Sequence, residues 1–116
     1  MRVSGKRLNP SLKQEIKKTF AKAIADLKDT NEVDKFLSDF FKGGEYEAYA
    51  KRLAIAYWLK KKRSYSNIKT NLKVSSATIA AAQNDMKKPG FKLILQKVEA
   101  EEWANKWAER IKKFIK

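Results

Sequence analysis

Cysteine and histidine are absent from the 116 residues of the chain, and proline and glycine are rare, with 2 and 4 residues. Without the first two residue types the chain cannot build a disulfide, a Cys/His zinc site, a cysteine nucleophile or a histidine general base. The scarcity of proline and glycine, with aromatic residues at 11%, argues against a disordered chain. We therefore expect a folded protein that uses no metal and no cofactor.

Long apolar runs are missing as well. The longest stretch without a charged residue extends from Val74 to Asn84, far short of the roughly 18–20 apolar residues that a membrane-spanning helix needs. No apolar segment follows the basic N-terminus, which argues against a signal peptide. The length favours one domain, and we predict a flexible basic arm over residues 1–8 and a single all-helical domain over residues 9–116.

Acidic residues are few: 13 Asp+Glu face 27 Lys+Arg, and the net charge is +14. The charge is also segregated, because Asp85 is the only acid between Lys51 and Lys92. Concentrated positive charge indicates a polyanionic partner, with nucleic acid first and an anionic membrane surface second. A solvated lysine-rich surface would explain the net charge but does not require this segregation.

Apolar residues recur every three or four positions, as Leu12, Ile16 and Phe20 do. This spacing predicts amphipathic helices and an all-α fold. Asn9-Pro10 is a typical helix start, and Lys88-Pro89-Gly90 is expected to break the chain before the last helix. We predict about six helices: Pro10 to about Leu27, a short helix between caps at Thr30-Asn31 and an end at Gly43-Gly44, Glu45 to about Lys62, Tyr65 to Leu72, Ser76 to about Met86, and Phe91 to about Ile115.

One predicted helix is apolar on every side, over Leu53 to Leu59. A surface helix needs only one apolar stripe. We expect a partner chain to cover part of this segment; the alternative is that neighbouring helices of the same chain are sufficient.

Two short predicted helices are separated only by Lys73, Val74 and Ser75. This arrangement is typical of a DNA-reading helix-turn-helix, here over about residues 64–86. Lys73 stands where such turns often have glycine, and a left-handed conformation there costs roughly 1 kcal/mol. The apolar residues at the spacing that fills the core of this motif are Ile68, Leu72, Val74 and Ile79.

The chain resembles the Trp repressor superfamily, and most closely its Trp-repressor-like branch of bacterial regulators, over about residues 33–86. The resemblance rests on Lys51-Arg52-Leu53 with the apolar run after it, on Ser64-Tyr65-Ser66-Asn67-Ile68 and on Ser75-Ser76-Ala77-Thr78-Ile79. It implies an intertwined homodimer that presents two recognition helices to successive major grooves of double-stranded DNA.

The resemblance also bears on a small ligand. Arg52 corresponds to the arginine that grips the ligand carboxylate in the Trp repressor, which makes Arg52 a candidate ligand-binding residue. Ala81 stands where the arginine that packs against bound tryptophan would be. We therefore do not expect tryptophan to act as co-repressor, and the question of another small-molecule co-repressor stays open.

The second short helix is predicted to read the major groove, with basic neighbours on phosphates and Arg2, Lys6 and Arg7 of the arm in a minor groove. Few of its side chains suit bidentate base contacts, so DNA shape must supply part of any specificity. The predicted base-reading residues are Ser76, Ala77, Thr78, Ala80 and Ala81. The predicted phosphate-binding residues are Lys60, Lys61, Lys62, Arg63, Tyr65, Ser66, Asn67, Lys69, Lys73, Lys87 and Lys88.

These features predict a sequence-preferring DNA-binding transcriptional regulator, acting as a repressor in the cytoplasm at the nucleoid. An architectural DNA-binding protein without sequence preference is one alternative. Membrane-surface binding by the last helix is a weaker one. An enzyme is disfavoured because the carboxylate pairs have neither a histidine nor a glycine-rich phosphate loop beside them. The membrane alternative rests on Trp103, Trp107, Ile111 and Phe114.

Overall fold

The computed structural model describes residues 7–114, except for the side chains at positions 103, 104 and 106–114. Every regular element in this range is an α-helix, and the prediction of an all-α fold with about six helices is confirmed. The arm predicted over residues 1–8 lies almost entirely outside the described residues, as do the predicted aromatic side chains near the C-terminus. The helices are α1 (Pro10–Ala25), α2 (Thr30–Phe40), α3 (Glu45–Lys60), α4 (Tyr65–Leu72), α5 (Ser76–Asp85) and α6 (Pro89–Phe114).

The chain divides into two compact units between Gly43 and Gly44. The first unit contains α1 and α2. Asn9 caps α1 as predicted: its side-chain oxygen accepts hydrogen bonds from the backbone N–H groups of Ser11 and Leu12, at 2.8 and 3.4 Å. Pro10 follows at the first helical position, where its missing N–H costs nothing.

The cap predicted for α2 at Thr30 or Asn31 is wrong, because Asp29 caps this helix. The Asp29 carboxylate accepts from the N–H of Glu32 at 3.0 Å, and the Glu32 carboxylate accepts from the N–H of Lys28 at 2.7 Å. This reciprocal pair satisfies two backbone N–H groups at the start of the helix. The helix ends at Phe40, and Gly43 takes a left-handed conformation (φ 57°) in the following turn.

An aromatic cluster joins α1 to α2. The ring centroid of Phe20 lies 6.1 Å from that of Phe36 and 5.4 Å from that of Phe40. The rings of Phe36 and Phe40 stack at 5.1 Å. Even so, neither helix has a buried residue. The two helices therefore share apolar contacts but do not enclose a hydrophobic core.

The second unit is built around α3, α4 and α5. Ile55, Ile68 and Ile79 are completely buried and pack together with Ala82. Leu72 and Val74 are partly buried against this cluster, which confirms the predicted core of the helix-turn-helix. Leu95 of α6 is buried as well.

The turn between α4 and α5 depends on Lys73, which adopts the left-handed conformation (φ 57°, ψ 50°) predicted for this position. Ser75 then caps α5. Lys62 is also left-handed (φ 67°), because α3 ends at Lys60, two residues before the expected end. A bulky residue in this conformation costs roughly 1 kcal/mol.

The last helix starts earlier than predicted. It begins at Pro89 and not at Phe91, because proline suits the first turn of a helix. The break before it lies at residues 86–88, between the end of α5 at Asp85 and Pro89. Of the break predicted at Lys88-Pro89-Gly90, Lys88 lies between the two helices as predicted, whereas Pro89 and Gly90 belong to α6.

We expect Lys73→Gly to raise the free energy of unfolding by about 0.5–1 kcal/mol, because glycine accepts the left-handed conformation without a Cβ clash. Lys69→Gly is the matched control: it removes the same charge from the interior of α4, where glycine should destabilise the protein by about 1 kcal/mol. Urea unfolding measures both changes. Equal destabilisation by the two variants would contradict the conformational assignment of Lys73.

Candidate nucleic-acid interface

Helix α5 has one side in the core and the other in solvent. Ile79, Ala82 and Asp85 face inward and are buried. All five residues predicted to contact bases are exposed: Ser76, Ala77, Thr78, Ala80 and Ala81. The structure thus offers an exposed helical face of small side chains, fixed from behind by buried isoleucines.

The hydroxyl of Thr78 has a partner inside the helix cap. Ser75 Oγ accepts the backbone N–H of Thr78 at 3.1 Å and lies 2.9 Å from Thr78 Oγ1. Thr78 is therefore part of the cap of α5 as well as a predicted base-reading residue, and a base would have to compete with Ser75 for its hydroxyl.

A shallow recess lies on the exposed side of α5, lined by Ala80, Ala81, Gln83, Asn84 and Lys87. At its edge, the hydroxyl of Tyr65 in α4 donates a hydrogen bond to Oε1 of Gln83. This bond ties the start of α4 to the third turn of α5. Sequence reasoning placed Tyr65 on a phosphate and did not select Gln83, and nothing in the spacing of two residues 18 positions apart would have paired them.

Several predicted phosphate-binding residues already have partners in α3 and α6. Lys60 Nζ lies 3.3 Å from Glu99 Oε2, and Lys61 Nζ lies 3.7 Å from Glu102 Oε2. The guanidinium of Arg63 sits 4.1 Å from the ring centroid of Trp58. The remaining basic residues predicted on phosphates are exposed: Lys62, Lys69, Lys73, Lys87 and Lys88. Of these, Lys88 forms an ion pair with Asp85.

Three of the predicted phosphate-binding residues, Tyr65, Ser66 and Asn67, lie at the start of α4. Ser64 caps this helix, and its hydroxyl accepts the N–H of Asn67 at 3.1 Å. The backbone of Asn67 is thus occupied by the cap, and its carbonyl accepts from the side chain of Asn71 at 2.8 Å. Of these three residues, the exposed Tyr65 and Ser66 take no part in the hydrogen bond that caps the helix.

Asp85 forms the main polar contact behind the interface. Asp85 is 8% exposed. Its carboxylate accepts hydrogen bonds from Nε and Nη2 of Arg52 at 2.9 and 2.8 Å. Lys88 Nζ lies 3.0 Å from the other carboxylate oxygen. Hydrogen bonds from Lys88 and then Arg52 lower the pKa of Asp85 below its ordinary value of 3.8, against the opposing effect of desolvation.

Arg52 was predicted as a ligand-binding residue, and the structure gives its guanidinium two partners within the chain. One is the carboxylate of Asp85, and the other is the ring of Phe91, whose centroid lies 5.2 Å from the guanidinium carbon. Asp85 thereby ties α3 to the end of α5, and through Lys88 to the residue before α6. An anionic ligand at Arg52 would compete with this internal carboxylate.

We expect Asp85→Asn to lower the free energy of unfolding at neutral pH, because Arg52 and Lys88 would lose their shared anion. The pKa of Asp85 is lowered in the folded state, so its contribution is fully present above 3.8 and is lost as the pH falls below that value. The difference between wild type and variant in urea unfolding should therefore shrink with acidification. Asp39→Asn, an exposed change in α2, is the control, and a difference independent of pH would contradict this role of Asp85.

Among the described residues, no cluster of histidine, cysteine, aspartate or glutamate could hold a metal ion. The described helices also include none with the length and apolar character needed to cross a membrane.

A protein-family comparison covers the interface and most of the chain. The family described as Trp repressor protein matches residues 15–99, which includes the whole helix-turn-helix and extends the resemblance seen over residues 33–86 at both ends. No curated protein and no solved structure matches the chain. The chain belongs to the Trp repressor protein family and is a DNA-binding regulator of the helix-turn-helix type.

Proposed function

We propose that this protein is a sequence-preferring transcriptional repressor that binds double-stranded DNA of the nucleoid in the cytoplasm. Helix α5 enters the major groove, and the surrounding lysines hold the phosphates. One observation carries the proposal: the only acid between Lys51 and Lys92 is buried and shared between Arg52 and Lys88. Every exposed charged side chain of this segment is therefore basic, as a phosphate-facing surface requires.

The ion pairs of Lys60 and Lys61 are compatible with this role. All four side chains are between 35% and 43% exposed, and ion pairs at such exposure contribute only about 0–1 kcal/mol. A phosphate can therefore replace Glu99 at Lys60 at small cost. Oε2 of Glu102 is buried, so replacing it at Lys61 costs more. Arg63, stacked on Trp58, keeps its N–H groups available in a fixed plane.

The first test is selection from a random pool of double-stranded DNA at about 0.15 M salt. Enrichment of an inverted repeat with half-sites about one helical turn apart supports a dimeric, sequence-reading repressor. Binding without enrichment would favour the architectural alternative. If DNA is not bound and anionic vesicles are, the proposal is wrong and the membrane alternative takes its place.

We expect Lys69→Gln to weaken binding to all DNA sequences by a similar factor, because a phosphate contact carries no base information. The slope of log affinity against log salt should become shallower by about one unit. Lys35→Gln in α2 removes the same charge outside the proposed interface and should leave both quantities close to wild type. Equal effects of the two variants would show that net charge alone drives binding.

We also propose that tryptophan is not the co-repressor. Arg52 is held by Asp85, and position 81 has alanine in place of the second arginine implied by the family resemblance. Adding tryptophan to the binding assay should therefore leave the affinity for the selected DNA unchanged. A tenfold increase would contradict this part of the proposal.

The proposed DNA-binding form is a homodimer in which α1 and α2 pack against a second copy of the chain. Leu12, Ile16, Phe20 and Phe40 are between 44% and 51% exposed, and α1 and α2 contain no buried residue. A unit of this size cannot form a sufficient core alone. In α3, only Ile55 and Ala56 are buried, although the segment from Leu53 to Leu59 is apolar on all sides.

We expect light scattering to give a mass of twice 13.4 kDa for the wild type. Ile16→Glu should dissociate or unfold the dimer, because it places a charge in the proposed interface. Lys18→Glu introduces the same residue on the basic side of α1 and should remain dimeric. A monomeric wild type, or an Ile16→Glu variant that stays a folded dimer, would contradict the assignment.

A further inference from the structure

The recess on the exposed side of α5 is lined by both apolar and polar side chains. Ala80 and Ala81 contribute single methyl groups, whereas the longer side chains of Gln83, Asn84 and Lys87 line the same recess. All five residues are exposed and belong to α5 or the residues directly after it. A ligand that fits must therefore present a small apolar group beside hydrogen-bonding atoms.

The major-groove edge of an adenine·thymine pair has this combination. The thymine methyl group is apolar, and adenine offers N7 as an acceptor and N6–H as a donor. A glutamine amide matches adenine by donating from Nε2 to N7 and accepting from N6 at Oε1. Guanine presents two acceptors, so it cannot donate a hydrogen bond to Oε1 of the glutamine. Its partner cytosine has no methyl group to contact Ala80 and Ala81.

The hydroxyl of Tyr65 orients the Gln83 amide. It donates to Oε1, so Oε1 faces α4 and Nε2 is directed away from this contact. The carbonyl oxygen of glutamine has two acceptor sites, and the second remains for adenine N6–H. A long side chain held before binding loses less conformational freedom when it meets the base.

We propose that Gln83 is a specificity-determining residue that reads an adenine, with Tyr65 as its positioning residue and Ala80 and Ala81 in contact with the thymine methyl group. This inference rests on the proposed function, because it requires α5 in the major groove. It adds to the predicted base-reading residues a glutamine beyond the first two turns of the helix, and it changes the role of Tyr65 from phosphate contact to orientation of Gln83.

The experiment compares DNA selection by the wild type and by Gln83→Ala, an exposed substitution whose helix content is checked by circular dichroism because it removes the bond to Tyr65. We expect a position in each half-site at which the wild type prefers adenine·thymine by about 10- to 100-fold. Gln83→Ala should lose this preference and keep its affinity for random-sequence DNA within about twofold. Asn84→Ala is the matched control, because it removes an amide from the same recess and should retain the preference.

Modified bases at the selected position test the individual atoms. Replacing adenine with 7-deazaadenine removes the N7 acceptor, and replacing thymine with uracil removes the methyl group. Each change should weaken wild-type binding about three- to tenfold, in keeping with loss of part of the pair's recognition. The 7-deazaadenine change should have no effect on Gln83→Ala, since that variant has no amide to bind N7.

Tyr65→Phe separates positioning from phosphate contact. If Tyr65 orients Gln83, the variant loses part of the adenine·thymine preference and keeps its affinity for random DNA, and it has no further effect in combination with Gln83→Ala. If Tyr65 binds a phosphate, affinity falls for all sequences alike and the inference about Tyr65 is wrong.

Three outcomes overturn the reading of adenine by Gln83: a selected site unchanged by Gln83→Ala, a loss of affinity equal for all sequences, or a preference lost only in Asn84→Ala. Each of them leaves DNA binding itself intact. Failure of the wild type to bind any DNA would overturn the proposed function together with the inference, so the two failures are distinguishable.

Discussion

Three completely buried isoleucines determine where helix α5 lies. Ile55 of α3, Ile68 of α4 and Ile79 of α5 meet in one cluster. The exposed face of α5 has no apolar anchor of its own, so its direction depends on this cluster and on the turn at Lys73. The cluster takes one branched side chain from each helix. A substitution that changes the shape of one of these side chains would therefore change how the three helices pack.

A second constraint is electrostatic. A surface that binds phosphates must be basic, but the helices beneath it repel one another when their positive charges come together. Asp85 meets both requirements, since it is buried and accepts hydrogen bonds from Arg52 and Lys88 without exposing a negative charge. The acids on α6 act differently: Glu99 and Glu102 lie near the solvent and pair with Lys60 and Lys61.

The sequence predicted the parts of this structure that depend on local periodicity. The helix-turn-helix core at Ile68, Leu72, Val74 and Ile79 follows from spacing. The number of helices also depends on caps and breaks, and the left-handed Lys73 follows from the glycine that such turns often have at this position. The cap of α2 was predicted wrongly because Asp29 and Thr30 are adjacent and both residue types can cap a helix. At Pro89, the same residue type can end a helix or begin one.

The contacts within the candidate interface were less predictable. Asp85 was visible as the single acid in a basic segment, but its partner Arg52 lies 33 positions away, and periodicity does not indicate which of many basic residues an acid meets. The bond between Tyr65 and Gln83 likewise joins two helices through side chains without a recognisable pattern. The types of residue in this segment indicated a DNA-binding surface. Which side chains contact one another could be determined only from the folded structure.

The ion pairs between α3 and α6 have a consequence for how contacts with DNA are counted. An unpaired lysine that reaches a phosphate displaces condensed cations from the DNA, and this gain in entropy is what salt opposes. In the proposed complex with DNA, Lys60 and Lys61 would first have to leave a carboxylate, which would then attract cations of its own. Their net release of ions is therefore smaller than that of an unpaired lysine. The slope of log affinity against log salt would therefore indicate fewer phosphate-bound lysines than are present. The difference would reflect the carboxylates of α6 that had lost their lysine partners.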